Sequence, residues 1–160
     1  MMRYIDIFKG FNESKIGYFV VGGLAVNFYG FPRFTYDMDI LIYMEDENIK
    51  RLMELLVKWG YKPKIPVNLY DFAIKEIRES WIKDKNMKAF NFYNEQEIIS
   101  EIDIIIDSPV SYLEASKNSV IFNVEGIDIP TISLADLIKM KEKAGRDVDL
   151  YDIKHLEERL

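Results

Sequence analysis

The chain reads as one compact α/β unit that ends in a helical hairpin, and three observations predict it. Short apolar runs of strand length alternate with stretches of helical periodicity. Glycine or proline punctuates the joins between them. The final stretch, about 131–160, carries two helical patterns split by Gly145. At 160 residues the simplest reading is a single domain, with a core at about 1–130. Such a domain buries about two-thirds of the surface exposed by its unfolded chain.

Taken in order, residues 3–14 set Tyr4, Ile7, Phe8 and Phe11 at helical spacing, and Gly17 closes the segment. Tyr18–Val21 is a buried strand, broken by Gly22-Gly23. A short helix follows at 24–29 and stops at Gly30, and Pro32 fixes a loop. Residues 38–43 alternate as a second strand. The plainest helix is 45–59: Ile49, Leu52, Leu55, Leu56 and Trp59 share a side, acids fill its first turn, and Gly60 ends it. Residues 61–97 are the least legible, with 69–81 reading as helix and 88–93 as strand. Residues 101–106 form a strong strand, apolar on nearly both faces. Val120–Val124 and 127–130 make a hairpin across Glu125-Gly126. Ser133 is a plausible N-cap for a helix to about Ala144, and 147–156 is the last helix.

Composition removes several functions. With no cysteine, disulfides, thiolate catalysis and Cys-based zinc sites are excluded. The hydrophobic share of 49% and charged share of 30% belong to a folded globular protein. A net charge of −6 argues against a broad nonspecific nucleic-acid surface, although a local basic patch would still admit RNA. The N-terminus places Asp6 where a signal peptide would begin its apolar core, and no apolar run approaches membrane-spanning length. The expected location is the cytoplasm, without a membrane partner.

The chemistry concentrates at Gly22-Gly23 and at Arg33-x-Thr35-x-Asp37-x-Asp39. Residues two apart on a strand share a face, so Asp37 and Asp39 can converge on shared cations. Hard divalent ions such as Mg²⁺ or Mn²⁺ take carboxylate oxygens and substrate phosphates. A third carboxylate should come from a neighbouring strand, and Asp103, flanked by Ile102 and Ile104, is the natural candidate. Such an acid is costly to bury unless a cation meets it. Two ions would clamp the attacking and leaving oxygens of an in-line displacement. Asp103 could then take the attacking group's proton or hold it as alkoxide. Gly22 and Gly23 offer bare backbone N–H groups to a triphosphate. Arg33 could stabilise phosphate charge, and Thr35 could bond a phosphate or fix the turn.

These residues resemble the DNA polymerase β-like nucleotidyltransferase superfamily, and within it the small prokaryotic AbiEii/MenT-like group. The likeness rests on Gly22-Gly23, Arg33-x-Thr35-x-Asp37-x-Asp39, Asp103, and Lys141 followed by Arg146-x-x-Asp149-x-x-Asp152. It covers roughly residues 15–45 and 98–157. It implies an α/β (α+β) nucleotidyltransferase-like mixed sheet flanked by helices. It also implies transfer of a nucleoside monophosphate from a nucleoside triphosphate to a hydroxyl of RNA, protein or a small molecule, in a toxin–antitoxin setting with a cognate partner protein. On that likeness Asp37, Asp39 and Asp103 are catalytic metal ligands, Gly22 and Gly23 cradle the triphosphate, and Lys141 reaches a phosphate. Arg146, Asp149 and Asp152 would organise the helical pair. Glu101 and Asp107 share strand parity with Asp103 and could take its place.

Blander readings stand beside these. A non-catalytic nucleotide-binding module, or an antitoxin-like partner-binding protein with a vestigial site, would keep the same motifs. Asp149 and Asp152 could simply pair with Arg146. His155 reads as a surface residue of the last helix. Tyr4, Phe8, Phe11, Phe28 and Tyr29 read as core or interface, whereas Trp81 and the 90–93 aromatics could be core or a base-stacking platform.

Overall fold

The apolar runs pair into a seven-stranded mixed sheet of order β3-β4-β5-β2-β1-β7-β6 in the computed structural model, which describes residues 1–32 and 34–160. The strands are β1 (Tyr18–Val21), β2 (Asp37–Ile42), β3 (Lys62–Pro63), β4 (Ala89–Tyr93), β5 (Glu101–Ile105), β6 (Val120–Val124) and β7 (Ile127–Thr131). β2 runs parallel to β5 and β1 parallel to β7, and the other pairs are antiparallel. Helices α1 (Tyr4–Glu13), α2 (Gly22–Phe28), α3 (Asp46–Lys58), α4 (Lys75–Lys85), α5 (Tyr112–Ser116), α6 (Leu134–Ala144) and α7 (Asp147–Glu157) surround it. This is the mixed, helix-flanked sheet expected, with α6 and α7 as the C-terminal hairpin.

Strand alternation sorts the two faces of the sheet. Met38, Ile40 and Ile42 of β2, Ile102 and Ile104 of β5, and Phe90 and Phe92 of β4 are all buried and in register on one face. Tyr18 stacks there on Phe8 of α1, 5.7 Å between ring centres. The opposite face of β2 and β5 carries acids and stays partly open.

Two elements differ from the sequence reading. Helix α2 starts at Gly22 rather than at 24, so both glycines belong to its first turn. The expected helix at 69–81 is two pieces: a 3-10 turn at Leu69–Ala73, then α4, with Ile74 extended between them (φ −90°, ψ 113°). The reason is packing. Phe72 and Trp81 are nine residues apart, which on one continuous helix puts them on opposite sides. The break lets both stack on Phe90, at 4.8 and 5.2 Å. Arg78 secures it by donating from Nη1 to the Phe72 carbonyl at 2.7 Å.

The ambiguous aromatics Trp81, Phe90 and Phe92 are therefore core. The 120–131 hairpin turns at Glu125 (φ 52°) and Gly126 (φ 83°), the paired positive values that match the twist of a two-residue hairpin. Ser133 caps α6, its Oγ accepting from the Asp136 N–H at 3.1 Å. Among the described residues no helix is long and apolar enough to cross a membrane.

Candidate active site

On the open face, the register of β2 against β5 sets Asp37 opposite Glu101 and Asp39 opposite Asp103. The two-residue strand period then brings four carboxyl groups together as two ranks. In the outer rank, one oxygen each of Asp37, Glu101 and Asp103 falls within 4.8 Å of the others. In the inner rank, the Asp39 and Asp103 carboxyl groups are within hydrogen-bonding reach. Asn91 of β4, directly across from Asp103, donates from Nδ2 to its Oδ1 at 2.7 Å and fixes that carboxylate's orientation.

β1 supplies the floor. Val21 pairs with Asp39, and the next residue, Gly22, turns with φ +66°. A methyl group at Gly22 would lie 2.8 Å from both Cβ and Cγ of Asp39. The glycine is thus required by the neighbouring carboxylate as well as by its left-handed backbone. Gly22→Ala should lower stability by about 2 kcal/mol and displace Asp39. Paired denaturant melts and activity assays check this, and an alanine variant of normal stability and activity would refute it.

The electrostatics suit a site built for a cation. Burial pushes the Asp39 carboxyl up to about 7, reinforced by the charges of Asp103 and Asp37 and opposed by Lys141. Burial also raises Asp103, against the lowering effect of the Asn91 hydrogen bond. Asp37 is raised by burial and by Glu101, with Lys64 opposing. Clustered carboxyl groups held above their ordinary range are stabilised when a positive charge enters. The donors are all oxygen, the set preferred by Mg²⁺ and Mn²⁺ over softer metals. The residues present therefore fit a divalent ion.

These acids open into a cleft of about 510 Å³ whose far wall is α6 and the start of α7. Cations paired with acids line it too. Lys88 and Lys143 both bond to Asp107, at 2.8 and 3.2 Å, and Arg146 also lines the cleft. Lys141 is buried, with Nζ 2.9 Å from Asp152 and 3.5 Å from Asp149. Asp149 in turn accepts from Arg146 Nε at 2.7 Å. Burial raises Asp149, but Arg146 and Lys141 outweigh it and hold the carboxylate below its ordinary value.

Residues 11–159 match the family described as nucleotidyl transferase AbiEii toxin of a type IV toxin–antitoxin system. The chain belongs to this family. Solved nucleotidyltransferases share the fold of this AbiEii-family protein. The lincomycin-bound lincosamide antibiotic adenylyltransferase LnuA superposes with TM-score 0.63 and 18% identity, over 94% of this chain and 92% of that one. A provisionally assigned nucleotidyltransferase from Thermotoga maritima gives 0.60 and 14% identity, over 100% and 97%. ANT(2″)-Ia, in complex with adenylyl-2″-tobramycin, gives 0.58 and 14%, over 94% and 83%. No curated protein matches the sequence.

In this AbiEii-family nucleotidyltransferase the cleft gathers Gly22, Asp37, Asp39, Asp103 and Lys141 from the sequence reading. Gly23 is buried in the first turn of α2. Thr35 takes the turn-fixing alternative, donating from Oγ1 to the Asp37 carbonyl at 2.9 Å. Arg33 lies outside the described residues. Of the two acids sharing parity with Asp103, Glu101 joins the cluster beside it, whereas Asp107 lies past the end of β5 and binds two lysines. Asp149 forms the ion pair with Arg146 that the plainer reading allowed. His155 is half-buried against Phe31 and Tyr151, at 4.9 and 4.5 Å, outside the cleft lining.

The sequence reading missed Lys64, Asn91, Lys88 and Lys143. All but Lys143 come from 61–97, where no motif fixed the register. Lys143 had the outlook of an ordinary solvated helix face.

Proposed function

We propose that this nucleotidyltransferase moves a nucleoside monophosphate from a nucleoside triphosphate to a hydroxyl acceptor, using Mg²⁺ or Mn²⁺ held by Asp37, Asp39 and Asp103. The observation that carries the reading is the convergence of these three acids from two parallel strands beside Gly22. The acceptor oxygen forms a bond to the α-phosphorus while the bond to the bridging oxygen of the β-phosphate breaks, and pyrophosphate leaves. Bound divalent metal, one ion or two, would neutralise charge on the phosphates and the reacting oxygens. Asp103, oriented by Asn91, receives the hydroxyl proton or faces the resulting alkoxide. The Gly22 and Gly23 backbone supports the triphosphate, and Arg33 is assigned to neutralising its phosphate charge. Lys141 contributes positive charge to the cleft wall, though most of it is spent on Asp149 and Asp152.

Lys88, Lys143 and Arg146 in the cleft lining support a phosphate-bearing acceptor, such as an RNA 3′ end, over a polycationic small molecule. Protein hydroxyls remain in the assay as the comparison. The family's description as a type IV toxin–antitoxin toxin supports reading the activity as one half of a toxin–antitoxin pair, acting in the cytoplasm with a cognate partner protein.

A crystal structure with Mn²⁺ and a non-hydrolysable triphosphate analogue tests this reading. The expected result is anomalous density among Asp37, Asp39 and Asp103, with the phosphates against Gly22-Gly23. Metal or triphosphate bound elsewhere would overturn it.

A further inference from the structure

Lys64 follows the two-residue strand β3, at the sheet edge two strands from β5, and its backbone N–H bonds the Asn91 carbonyl at 2.9 Å. That anchor aims its side chain across β4 at the acids. The ammonium forms an ion pair with Glu101 and also lies within the fields of Asp103 and Asp37. Those three acids are the ones whose oxygens fall within 4.8 Å of one another. The outer rank thus already faces a positive charge supplied by the chain, whereas Asp39 of the inner pair faces Lys141 and Arg146 from the cleft wall. Two cations cannot share the outer carboxylates at contact distance without strong mutual repulsion. Among the described residues Lys64 forms one ion pair, with Glu101, and its side chain is 46% accessible, so leaving costs little.

We propose that Lys64 is the resting occupant of the outer half of the cation site: its ammonium and a divalent ion compete for Asp37, Glu101 and Asp103. The inner half takes its ion first. The outer half takes a second only when Lys64 swings out toward solvent, where its ammonium can meet an incoming phosphate. Glu101 is then both the anchor of the lysine and a ligand of the outer ion. This inference rests on the cation-binding reading above, and the experiment separates the two.

Mn²⁺ binding to the nucleotide-free protein, followed by electron paramagnetic resonance of the free ion, is measured for the wild type, Lys64→Met, Glu101→Gln and the double variant. One tighter and one weaker site are expected in the wild type. Lys64→Met should strengthen the weaker site by about ten-fold, the effect of removing one nearby positive charge, and leave the tighter one unchanged. The double variant should lose that gain. Two sites of unchanged affinity in Lys64→Met would overturn the role of Lys64 while leaving the metal centre standing. Absence of Mn²⁺ binding in every variant would overturn both. Circular dichroism of each variant confirms the fold, since none of these substitutions touches the core.

Discussion

Asp39→Asn should abolish transfer and, in the absence of metal, make the protein more stable than the wild type above pH 7. The Asp39 carboxyl is raised from 3.8 to about 7 by burial and by its acidic neighbours. Below about pH 4 it is protonated folded or unfolded, and nothing is lost. Between those values the unfolded chain releases the proton freely while the folded chain retains it, so stability falls as pH rises. Above pH 7 the folded protein carries the full penalty. At about 1.4 kcal/mol per unit its ceiling is roughly 4 kcal/mol, and sharing of charge with Asp103 and Asp37 brings the expected gain nearer ~2 kcal/mol. Asparagine keeps the shape and removes the charge. Urea melts in EDTA at pH 5 and pH 8 check this. Wild type should weaken toward pH 8 and recover with Mg²⁺, and the variant should do both to a smaller extent, since Asp37 and Asp103 keep their raised carboxyls. Equal stabilities at pH 8 would contradict the assignment.

Lys141→Met should be the most destabilising single change around the cleft. Lys141, Asp149 and Asp152 are nearly sealed from water, and removing the lysine takes one cation from both Asp152 and Asp149, leaving Arg146 paired with Asp149. Removing one member of a buried ion-pair network typically costs about 3 kcal/mol, which for a chain of this size lowers Tm by roughly 10 °C. The double variant Lys141→Met/Asp152→Asn should regain part of the loss, because the carboxylate that faced the lysine at 2.9 Å is then neutral. Scanning calorimetry settles the point, and an unshifted Tm in Lys141→Met would refute it. The same network accounts for the spacing from Lys141 to Asp152 in this chain. Arg146 reaches Asp149 across the first turn of α7, and Lys141 reaches Asp149 and Asp152 from the last turns of α6, so the hairpin closes on its own charges.

Much of the centre was legible because β-strand periodicity is short and strict. Asp37 and Asp39 had to share a face, and an acid between Ile102 and Ile104 had to be met by something polar or cationic. The parity of Glu101 was also visible, but its partnership with Lys64 depended on which strand flanks β5. That strand, β4, is ordinary in sequence, and β3 is only two residues long. Asn91 and Lys64 were hidden for that reason. The split at Ile74 was hidden for another: local pattern favours a helix through 69–81, and only the shared contact with Phe90 favours a break. At Gly22 the sequence suggested the approach of a triphosphate, whereas the close approach seen is that of Asp39.

The most direct measurement is transfer itself. The protein is incubated with α-labelled nucleoside triphosphates, Mg²⁺, total RNA and total protein, and label incorporation is compared with pyrophosphate release for wild type, Asp37→Asn and Asp103→Asn. Wild type should label a macromolecular acceptor with one pyrophosphate released per nucleotide, and both variants should fall to background while remaining folded. Full labelling by either variant, or labelling undiminished by EDTA, would contradict a metal-assisted reaction at these acids.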